Sequence, residues 1–413
     1  MTKEIPFIES LPSHWDVIPN RYLFYPDGKK VGSESANYQL LSLTTSGVKE
    51  RNINVGGGKV PASYDNYQTV KKGQMVFCLF DLDCSAVFSG ISNYNGMITS
   101  AYDVFSTSDR IDSRYADYWF MYVFSNRYYK MYSKNIRYTV TTDMFQSLKT
   151  PVPPLAEQRR ISDFLSQKES KVDALISNVQ AQIEKLKAYK QSLITEVVTK
   201  GLDPNAPMKD SGVEWIGTIP ASWKTIRVKQ LLRERKERSV NGKEEPLSMS
   251  QKVGLVPTKM LDMIPNMASS FVGAKLAYVD DLVFNKLKAH LGVFSVSKYD
   301  GLVSPDYAVY YSTGIIDLKY LEYLFKTPQC ISEFRKRSTG IAAGLTRLYT
   351  DGLFAIECPM PSKDEQAEIV LFLNEKCAQI DELMSLKQTK IEKLEQYKRS
   401  LIYEYVTGKK EVS

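Results

Sequence analysis

The sequence predicts an α+β protein in which two globular mixed α/β domains are separated by two long antiparallel helices, with a pseudo-twofold internal repeat. Residues 151–199 match residues 359–407 without a gap, and 24 of these 49 positions are identical. Both segments have the heptad-like apolar spacing that is typical of long paired helices. The residues between them contain short β-rich runs divided by Gly, Asn and Asp turns.

The repeat also sets the predicted domain boundaries. The same shift of 208 residues aligns FIESLPSHWDVI with WIGTIPASWKTI and places Trp15 on Trp223. Between these matching ends the similarity is looser, so the halves share a frame but differ in content. We expect four parts: a first domain over 1–150, a central helix and linker over 151–204, a second domain over 205–358 and a C-terminal helix over 359–413.

Each globular domain is expected to combine strands with one aromatic-rich helix. The β-rich runs are YQLLSL, QMVFCLF, YAVYYS and DLVFNKL. Their β-branched and aromatic residues suit the half-buried surface of a sheet. The aromatic-rich helices are predicted at 115–132 and 317–336. Because the halves share a frame, the same topology is expected twice.

The repeated segments are predicted to be helices because start signals precede an apolar stripe. Ser362 and Glu365 form an S-x-x-E capping box, and Gly201 and Gly408 stand where the helices are expected to end. About 45 residues at ~1.5 Å each give ~65 Å of helix. A stripe of this length needs a partner, so the two copies are expected to pair antiparallel. The alternative is that each helix packs only on its own domain.

The composition, with 43% hydrophobic and 11% aromatic residues, is that of well-packed globular domains. No apolar run approaches the roughly 18 residues of a membrane span, and MTKEIPFIES lacks the apolar core of a signal peptide. The five cysteines form no CxxC pair, which favours reduced thiols and a cytoplasmic location. Lys and Arg outnumber Asp and Glu by 16 to 14 over 1–150 and by 21 to 16 over 205–358. This excess is compatible with phosphate contact.

No set of residues predicts a catalytic or metal site. The histidines, His14 and His290, lie in different halves, and no HExxH or CxxC pattern is present. The GGGK run at 56–59 is followed by Val60, where a phosphate-binding loop needs Ser or Thr, and Ile53 occupies its first glycine position. We therefore expect a non-catalytic protein with no cofactor of its own.

Basic and polar residues at corresponding places in the halves are the candidate DNA contacts. FNKLKAHLGVF, read as a strand, would place alternate basic side chains on one face. FRKRSTGIAAGLTRLY combines Arg forks, which suit guanine edges, with glycines that allow close approach to a groove. SKNIRYTVTT is the equivalent loop of the first half. The candidates are Lys134, Asn135, Arg137, Tyr138, Thr139, Lys286, Lys288, His290, Arg335, Lys336, Arg337, Thr339, Arg347 and Tyr349.

The first half has no basic counterpart of the NKLKAH run. Its equivalent, CLFDLDC, is acidic at Asp81 and Asp83. These carboxylates would suit cytosine amino groups, or the strand would be purely structural. For any single candidate residue, a solvated position without DNA contact is an equally open alternative.

At PVPPLAEQRRISDFL and PMPSKDEQAEIVLFL, each followed by an I-E-K-L-x-x-Y-K-x-S-L-I helix, the sequence resembles the specificity subunits of type I restriction–modification systems. WIGTIPASWK and FNKLKAHLGVFSVSKYDGLVSPDY extend the resemblance over essentially the whole chain. It implies two target-recognition domains, each reading one half of a bipartite site in double-stranded DNA. It also implies two modification subunits on the helical region, which carry S-adenosylmethionine for adenine-N6 methylation. Restriction subunits would add cleavage that requires ATP and Mg.

Two other interpretations stay open. The chain would also suit a related system in which the partner fuses nuclease and methyltransferase. Alternatively, it would be a coiled-coil scaffold whose domains bind protein. DNA binding that weakens steeply with salt would favour DNA recognition, because phosphate contacts release counterions.

Overall fold

The computed structural model describes residues 5–52, 61, 63–133, 137–251, 253–261, 270–342 and 345–412. They form two compact units. The first contains Met1–Gln180 and Thr389–Ser413, and the second contains Ala181–Gln388. Each unit therefore holds one globular part together with portions of both long helices. The predicted four-part division of the chain stays a prediction.

The first unit is built around an antiparallel sheet. Its described strands are β1 (Asp16–Pro19), β2 (Phe24–Pro26), β3 (Leu41–Thr44), β4 (Gly47–Glu50), β5 (Gln68–Val70), β6 (Met75–Phe77), β7 (Ser89–Ile91), β8 (Gly96–Ile98), β9 (Asp103–Thr107) and β10 (Lys149–Val152). Its helices are α1 (Ser113–Ser125), α2 (Thr142–Ser147) and the first part of α3 (Leu155–Lys200). The sheet has the order β2-β9-β6-β7, while β1 pairs with β10, β3 with β4 and β5 with β8.

The second unit repeats this arrangement. Its described strands are β11 (Met208–Asp210), β12 (Thr218–Pro220), β13 (Lys224–Arg227), β14 (Leu232–Glu234), β15 (Leu247–Ser250), β16 (Gly254–Pro257), β17 (Lys275–Ala277), β18 (Leu282–Asn285), β19 (Phe294–Val296), β20 (Gly301–Val303), β21 (Tyr307–Ser312), β22 (Thr339–Ala342), β23 (Leu345–Arg347) and β24 (Glu357–Met360). Its helices are α4 (Val228–Leu231), α5 (Leu318–Phe325), α6 (Pro328–Arg337), α7 (Thr350–Phe354) and α8 (Lys363–Val406), of which the last part belongs to the first unit. The order β14-β21-β18-β19 and the pairs β13–β24, β15–β16 and β17–β20 match those of the first unit. The predicted doubling of the topology is confirmed.

The aromatic-rich helix of each unit is shorter than predicted. In the first unit α1 ends at Ser125, because Arg127 adopts a left-handed conformation with φ of 56° before a 3-10 turn at Tyr128–Met131. In the second unit Pro328 begins a new helix, and the extended backbone of Thr327 before it separates α5 from α6. The predictions of single helices over 115–132 and 317–336 are therefore wrong.

A tryptophan anchors each globular part to the long helix that follows it. Trp15 is buried and donates from Nε1 to Glu157 Oε1 at 3.1 Å, and buried Trp223 donates in the same way to Glu365 Oε1 at 3.1 Å. Glu365 also accepts a hydrogen bond from the Ser362 amide at 2.9 Å, while the Glu365 amide donates to Ser362 Oγ at 3.3 Å. The predicted capping box is confirmed, and its carboxylate also holds the tryptophan.

In the first unit, the beginning of α3 and the end of α8 run antiparallel in contact. The rings of Phe164 and Tyr405 lie 4.6 Å apart. Further along, Lys398 Nζ donates to Asp173 Oδ1 at 3.1 Å. Because the residue number rises in α3 as it falls in α8, the pairing is antiparallel, as predicted.

The second unit contains the equivalent pair of helix segments. Lys190 Nζ lies 2.6 Å from Asp381 Oδ1, and the repeat places these residues on Lys398 and Asp173. Lys387 Nζ donates to the side-chain oxygen of Gln182 at 2.5 Å. These polar residues of the two helices therefore pair with each other.

The stripe itself is only partly buried. In the first unit Val179 and Ile391 are buried, but Leu175 and Tyr397 are 47% and 48% exposed. In the second unit, the counterparts of Tyr397 and Leu175 are Tyr189 and Leu383, and both are exposed. These helices thus keep apolar surface that the described part of the chain does not cover. None of the helices within the described residues has the length and apolar character of a membrane span.

Candidate nucleic-acid interface

The basic run after β18 is a turn and not the predicted strand. β18 ends at Asn285, whose side-chain oxygen accepts a hydrogen bond from the Leu287 amide at 3.1 Å. Asn side chains commonly bond to the backbone two residues on, which starts a turn instead of continuing a ladder. A 3-10 turn then follows at Ala289–Leu291. The strand prediction is wrong for the three basic residues of this run, Lys286, Lys288 and His290.

The turn nevertheless lies beside the other candidate DNA contacts of this unit, those of the FRKRSTGIAAGLTRLY run. The carbonyl oxygen of Lys286 accepts a hydrogen bond from the Leu348 amide at 3.0 Å. The 3-10 turn packs on α6. Lys288 is exposed, whereas Lys286 and His290 are half-buried. The structure therefore brings the two basic runs of the second unit together.

The stretch from Phe325 to Asp351 is seven residues longer than its counterpart in the first half, Phe124 to Asp143. It contains the hairpin β22–β23 between α6 and α7. Thr339 stands opposite Arg347 in this hairpin. Arg347 Nη2 donates to Asp306 Oδ1 at 2.7 Å, and its side chain is 24% exposed. Its Nε is buried without a hydrogen-bond partner among the described residues. Tyr349 is exposed, with its ring centroid 5.9 Å from the Arg347 guanidinium.

Three cations occupy the last turn of α6, where positive charge interacts favourably with the helix dipole. Arg335, Lys336 and Arg337 are exposed. Lys336 Nζ lies 2.9 Å from Glu333 Oε1, and Arg337 Nε lies 3.4 Å from Glu333 Oε2. Two of the three cations thus share one carboxylate, which leaves this surface net positive.

The candidate loop of the first unit is described only in part. Lys134 and Asn135 lie outside the described residues. Arg137 is 80% exposed, with its Nε 3.9 Å from Asp81 Oδ1. Thr139 is half-buried.

The acidic run of the first unit is also a turn, because β6 ends at Phe77. Asp83 accepts hydrogen bonds from Lys130 Nζ at 3.0 Å and from the Tyr129 hydroxyl at 3.1 Å. The hydrogen bond from Lys130 is the main cause that holds the pKa of Asp83 below its usual range. Lys130 also lies 4.3 Å from the ring centroid of Tyr138. Asp83 therefore pairs with residues of its own unit. The strand prediction for the CLFDLDC run is wrong.

Sequence reasoning missed two further basic residues of the second unit, of which Lys275 lies near Lys286. Arg238 and Lys275 face each other across an antiparallel bridge. Lys275 Nζ donates to the Tyr307 carbonyl at 2.5 Å and is half-buried. Their sequence neighbours carry no motif, so only strand register reveals the pair.

The described residues contain no group of three or more His, Cys, Asp or Glu side chains that would hold a metal ion. His14 pairs with Glu157, with 3.0 Å between His14 Nε2 and Glu157 Oε2. The five cysteines are free thiols. The GGGK run at 56–59, together with Ile53 and Val60, lies outside the described residues.

The chain is similar in sequence to known specificity subunits. Residues 98–185 match the family model of the type I restriction modification DNA specificity domain. The MjaVIII type I restriction enzyme specificity subunit of Methanocaldococcus jannaschii is 25% identical over 288 residues, which cover 65% of this chain and 64% of the relative. The putative MjaX specificity subunit of the same organism is 26% identical over 291 residues, which cover 66% and 61%. The match spans less than two thirds of either relative.

Solved structures share the fold over nearly the whole chain. One belongs to a study of complex assembly and conformational transition of the type I R-M system; its TM-score is 0.71 at 15% identity, with 97% of this chain and 99% of that chain covered. The HsdS subunit of Thermoanaerobacter tengcongensis has a TM-score of 0.54 at 15% identity, with 98% and 100% covered.

Proposed function

We propose that the chain is the sequence-specific DNA-binding subunit of a type I restriction–modification complex, because residues 98–185 match the DNA specificity domain of such systems. Each half reads one part of a bipartite site in double-stranded DNA. The chain itself is not an enzyme. The observation that carries this proposal is a doubled frame whose two copies present different side chains at equivalent positions.

One equivalent position illustrates the difference. After β2, Asp27 accepts a hydrogen bond from Gln74 Nε2 at 2.7 Å. After β14, the position of Asp27 is taken by Arg235, which donates from Nε and Nη2 to the Asp281 carboxylate at 2.7 and 2.9 Å. The same position of the frame is thus acidic in one copy and basic in the other. This freedom supports two reading domains with different target sequences.

The partners are two modification subunits on the helical region, with restriction subunits joining through the complex. Two features support a pair of equivalent docking sites. Exposed apolar residues recur at the same positions of α3 and α8, as described above. In addition, a cleft beside Phe7 and Tyr403 in the first unit has a counterpart beside Trp215 and Thr195 in the second, and the 208-residue shift relates these residues.

The chemistry of the complex is assigned to these partners. S-adenosylmethionine for adenine-N6 methylation belongs to the modification subunits, and ATP and Mg for DNA cleavage belong to the restriction subunits. A complex that modifies and cleaves DNA in this way works in the cytoplasm. A related system with a fused nuclease-methyltransferase would use the same reading surfaces, whereas a protein-binding scaffold would have no use for them.

The test is DNA binding by the chain assembled with its modification subunits. We expect tight binding to one bipartite motif and loss of affinity as salt rises, because each phosphate contact contributes about −0.9 to the slope of log K against log salt. Sequencing of methylated DNA from a host that expresses the complex should show the same bipartite motif. Absence of DNA binding at every salt concentration would overturn the proposal and favour the scaffold.

A further inference from the structure

The second unit contains a cluster of three cations around β17. Arg238 and Lys275 are direct cross-strand partners. Lys286 follows Asn285, which pairs with Tyr307, and the carbonyl of Tyr307 accepts the hydrogen bond from Lys275 Nζ, so the charge of Lys286 acts on Lys275. Two carboxylates also act on Lys275, but both have other partners. Asp306 pairs with Arg347 at 2.7 Å, and Glu234 accepts a hydrogen bond from a threonine hydroxyl.

The first unit has the same frame without the cluster. Lys30 faces Gln68 across the equivalent bridge. Gln68 Nε2 donates to the Tyr102 carbonyl, as Lys275 Nζ donates to the carbonyl of Tyr307. The bridge and the carbonyl contact therefore form with a neutral side chain as well as with a charged one.

The third cation also has a neutral counterpart. The carbonyl of buried Leu79 accepts a hydrogen bond from the Val140 amide at 2.8 Å, as the carbonyl of Lys286 accepts one from Leu348. Leu79 thus occupies the place of Lys286. Two of the three positive charges are absent from the first copy of the frame.

Like charges that stand directly opposite each other in a sheet are destabilising. Burial, together with the positive charges of Lys286 and Arg238, lowers the pKa of Lys275. The folding of the frame does not require this charge, as Gln68 demonstrates. A bound anion would relieve the repulsion, and Lys and Arg side chains are the usual partners of DNA phosphates.

We propose that Arg238, Lys275 and Lys286 form a binding site for a backbone phosphate of DNA in the second half-site, with no counterpart in the first. The inference rests on the proposed function, because it assumes that this domain contacts DNA. It deepens that function by assigning an anchoring contact that carries no sequence information. The equivalent side chains of the first unit, Gln68 and Leu79, do not supply this contact.

The test uses Lys275→Gln, which installs the side chain of the first copy and is expected to keep the carbonyl contact. In the complex with modification subunits, affinity for DNA should be measured between 50 and 200 mM salt. We expect the slope of log K against log salt to flatten by about 0.9, so wild type loses about 3.5-fold more affinity over this range. The loss of affinity caused by Lys275→Gln should be equal for cognate and unrelated DNA. Without DNA, the melting temperature of Lys275→Gln should equal or exceed that of wild type.

Two further variants complete the test. Lys275→Arg keeps the charge and should keep the wild-type slope. Lys224→Gln removes one exposed charge from β13 in the same unit and should change the slope much less. An unchanged slope for Lys275→Gln, or equal effects of Lys275→Gln and Lys224→Gln, would overturn the phosphate site. If the wild-type complex does not bind DNA at all, the proposed function itself has failed.

Discussion

Arg347 is held more firmly than a typical surface arginine. Its pairing with Asp306 fixes one edge of the guanidinium, while Nε is buried without a partner among the described residues. An arginine that is oriented by a carboxylate keeps its remaining donors in one direction, which suits the two acceptors of a guanine edge. Lys336, in contrast, is an exposed point charge beside Glu333. The two residues therefore suit different parts of DNA.

We predict that Arg347→Ala relaxes preference at one base pair of the second half-site, because a bidentate base contact contributes roughly 1–3 kcal/mol of discrimination. Lys336→Ala should weaken binding to all sequences about equally, as expected for a phosphate contact. Each variant complex should be assayed on a library randomised in that half-site. An unchanged preference profile for Arg347→Ala would refute its role in base reading and leave the two-reader architecture intact.

A second prediction at this scale concerns Asp117, a half-buried residue of α1. Burial raises its pKa to about 6, although the Ser89 hydroxyl donates to it at 2.7 Å. Since an unfolded aspartate ionises near ~3.9, the folded state binds the proton more tightly, and wild-type stability falls as pH rises through 6. Asp117→Asn should therefore be more stable than wild type at pH 8, by about 1–2 kcal/mol.

This advantage should shrink as the pH falls from 8 to 5, and thermal unfolding across that range measures it. Asp109→Asn, which changes an exposed aspartate of the same unit, is the matched control and should show little pH-dependent difference. A stability difference for Asp117→Asn that does not vary with pH would contradict the assignment.

At the scale of elements, the two long helices are the features most fully predicted from the sequence. Their caps and apolar spacing are local signals, and Ser362 and Glu365 form the predicted reciprocal hydrogen bonds. The strand prediction for the basic run after β18 failed for an equally local reason. Basic residues at alternate positions suggest a strand, but the side chain of Asn285 starts a turn. The bridge between Arg238 and Lys275 was invisible, because register between distant strands is not encoded in either segment alone.

We predict that Glu365→Ala destabilises the second unit by about 2 kcal/mol. The change removes a cap contact, which contributes ~1 kcal/mol, and leaves the buried indole donor of Trp223 without its acceptor, which costs ~1–3 kcal/mol. Glu365→Gln keeps an acceptor for the indole of Trp223 and should lose less stability. Chemical denaturation of the full chain gives the comparison, with exposed Glu382→Ala on the same helix as control. Equal losses for Glu365→Ala and Glu382→Ala would contradict the anchoring role.

For the whole molecule, the doubled frame separates what stays constant from what varies. The anchoring tryptophans and the sheet order are the same in both units. The surfaces differ, with a hairpin at β22–β23 and a cationic cluster in the second unit. Under the proposed function, this division lets one DNA-reading surface change without altering the frame proposed to bind the modification subunits.

The last prediction follows from this separation. Replacing residues 205–358 with the equivalent domain of a relative should change one half of the recognised site and leave the other half intact. The physical reason is that the side chains proposed to read each half-site belong to different units, and each unit has its own hydrophobic core. Contacts that share no partner residue contribute almost additively to free energies, so the two readings should be independent. The measurement is the methylated motif of the chimera, expressed with the original modification subunits. The reciprocal exchange of residues 1–150 is the matched control and should alter only the other half. A chimera that altered both halves of its motif would refute independent reading even if it assembled and methylated DNA.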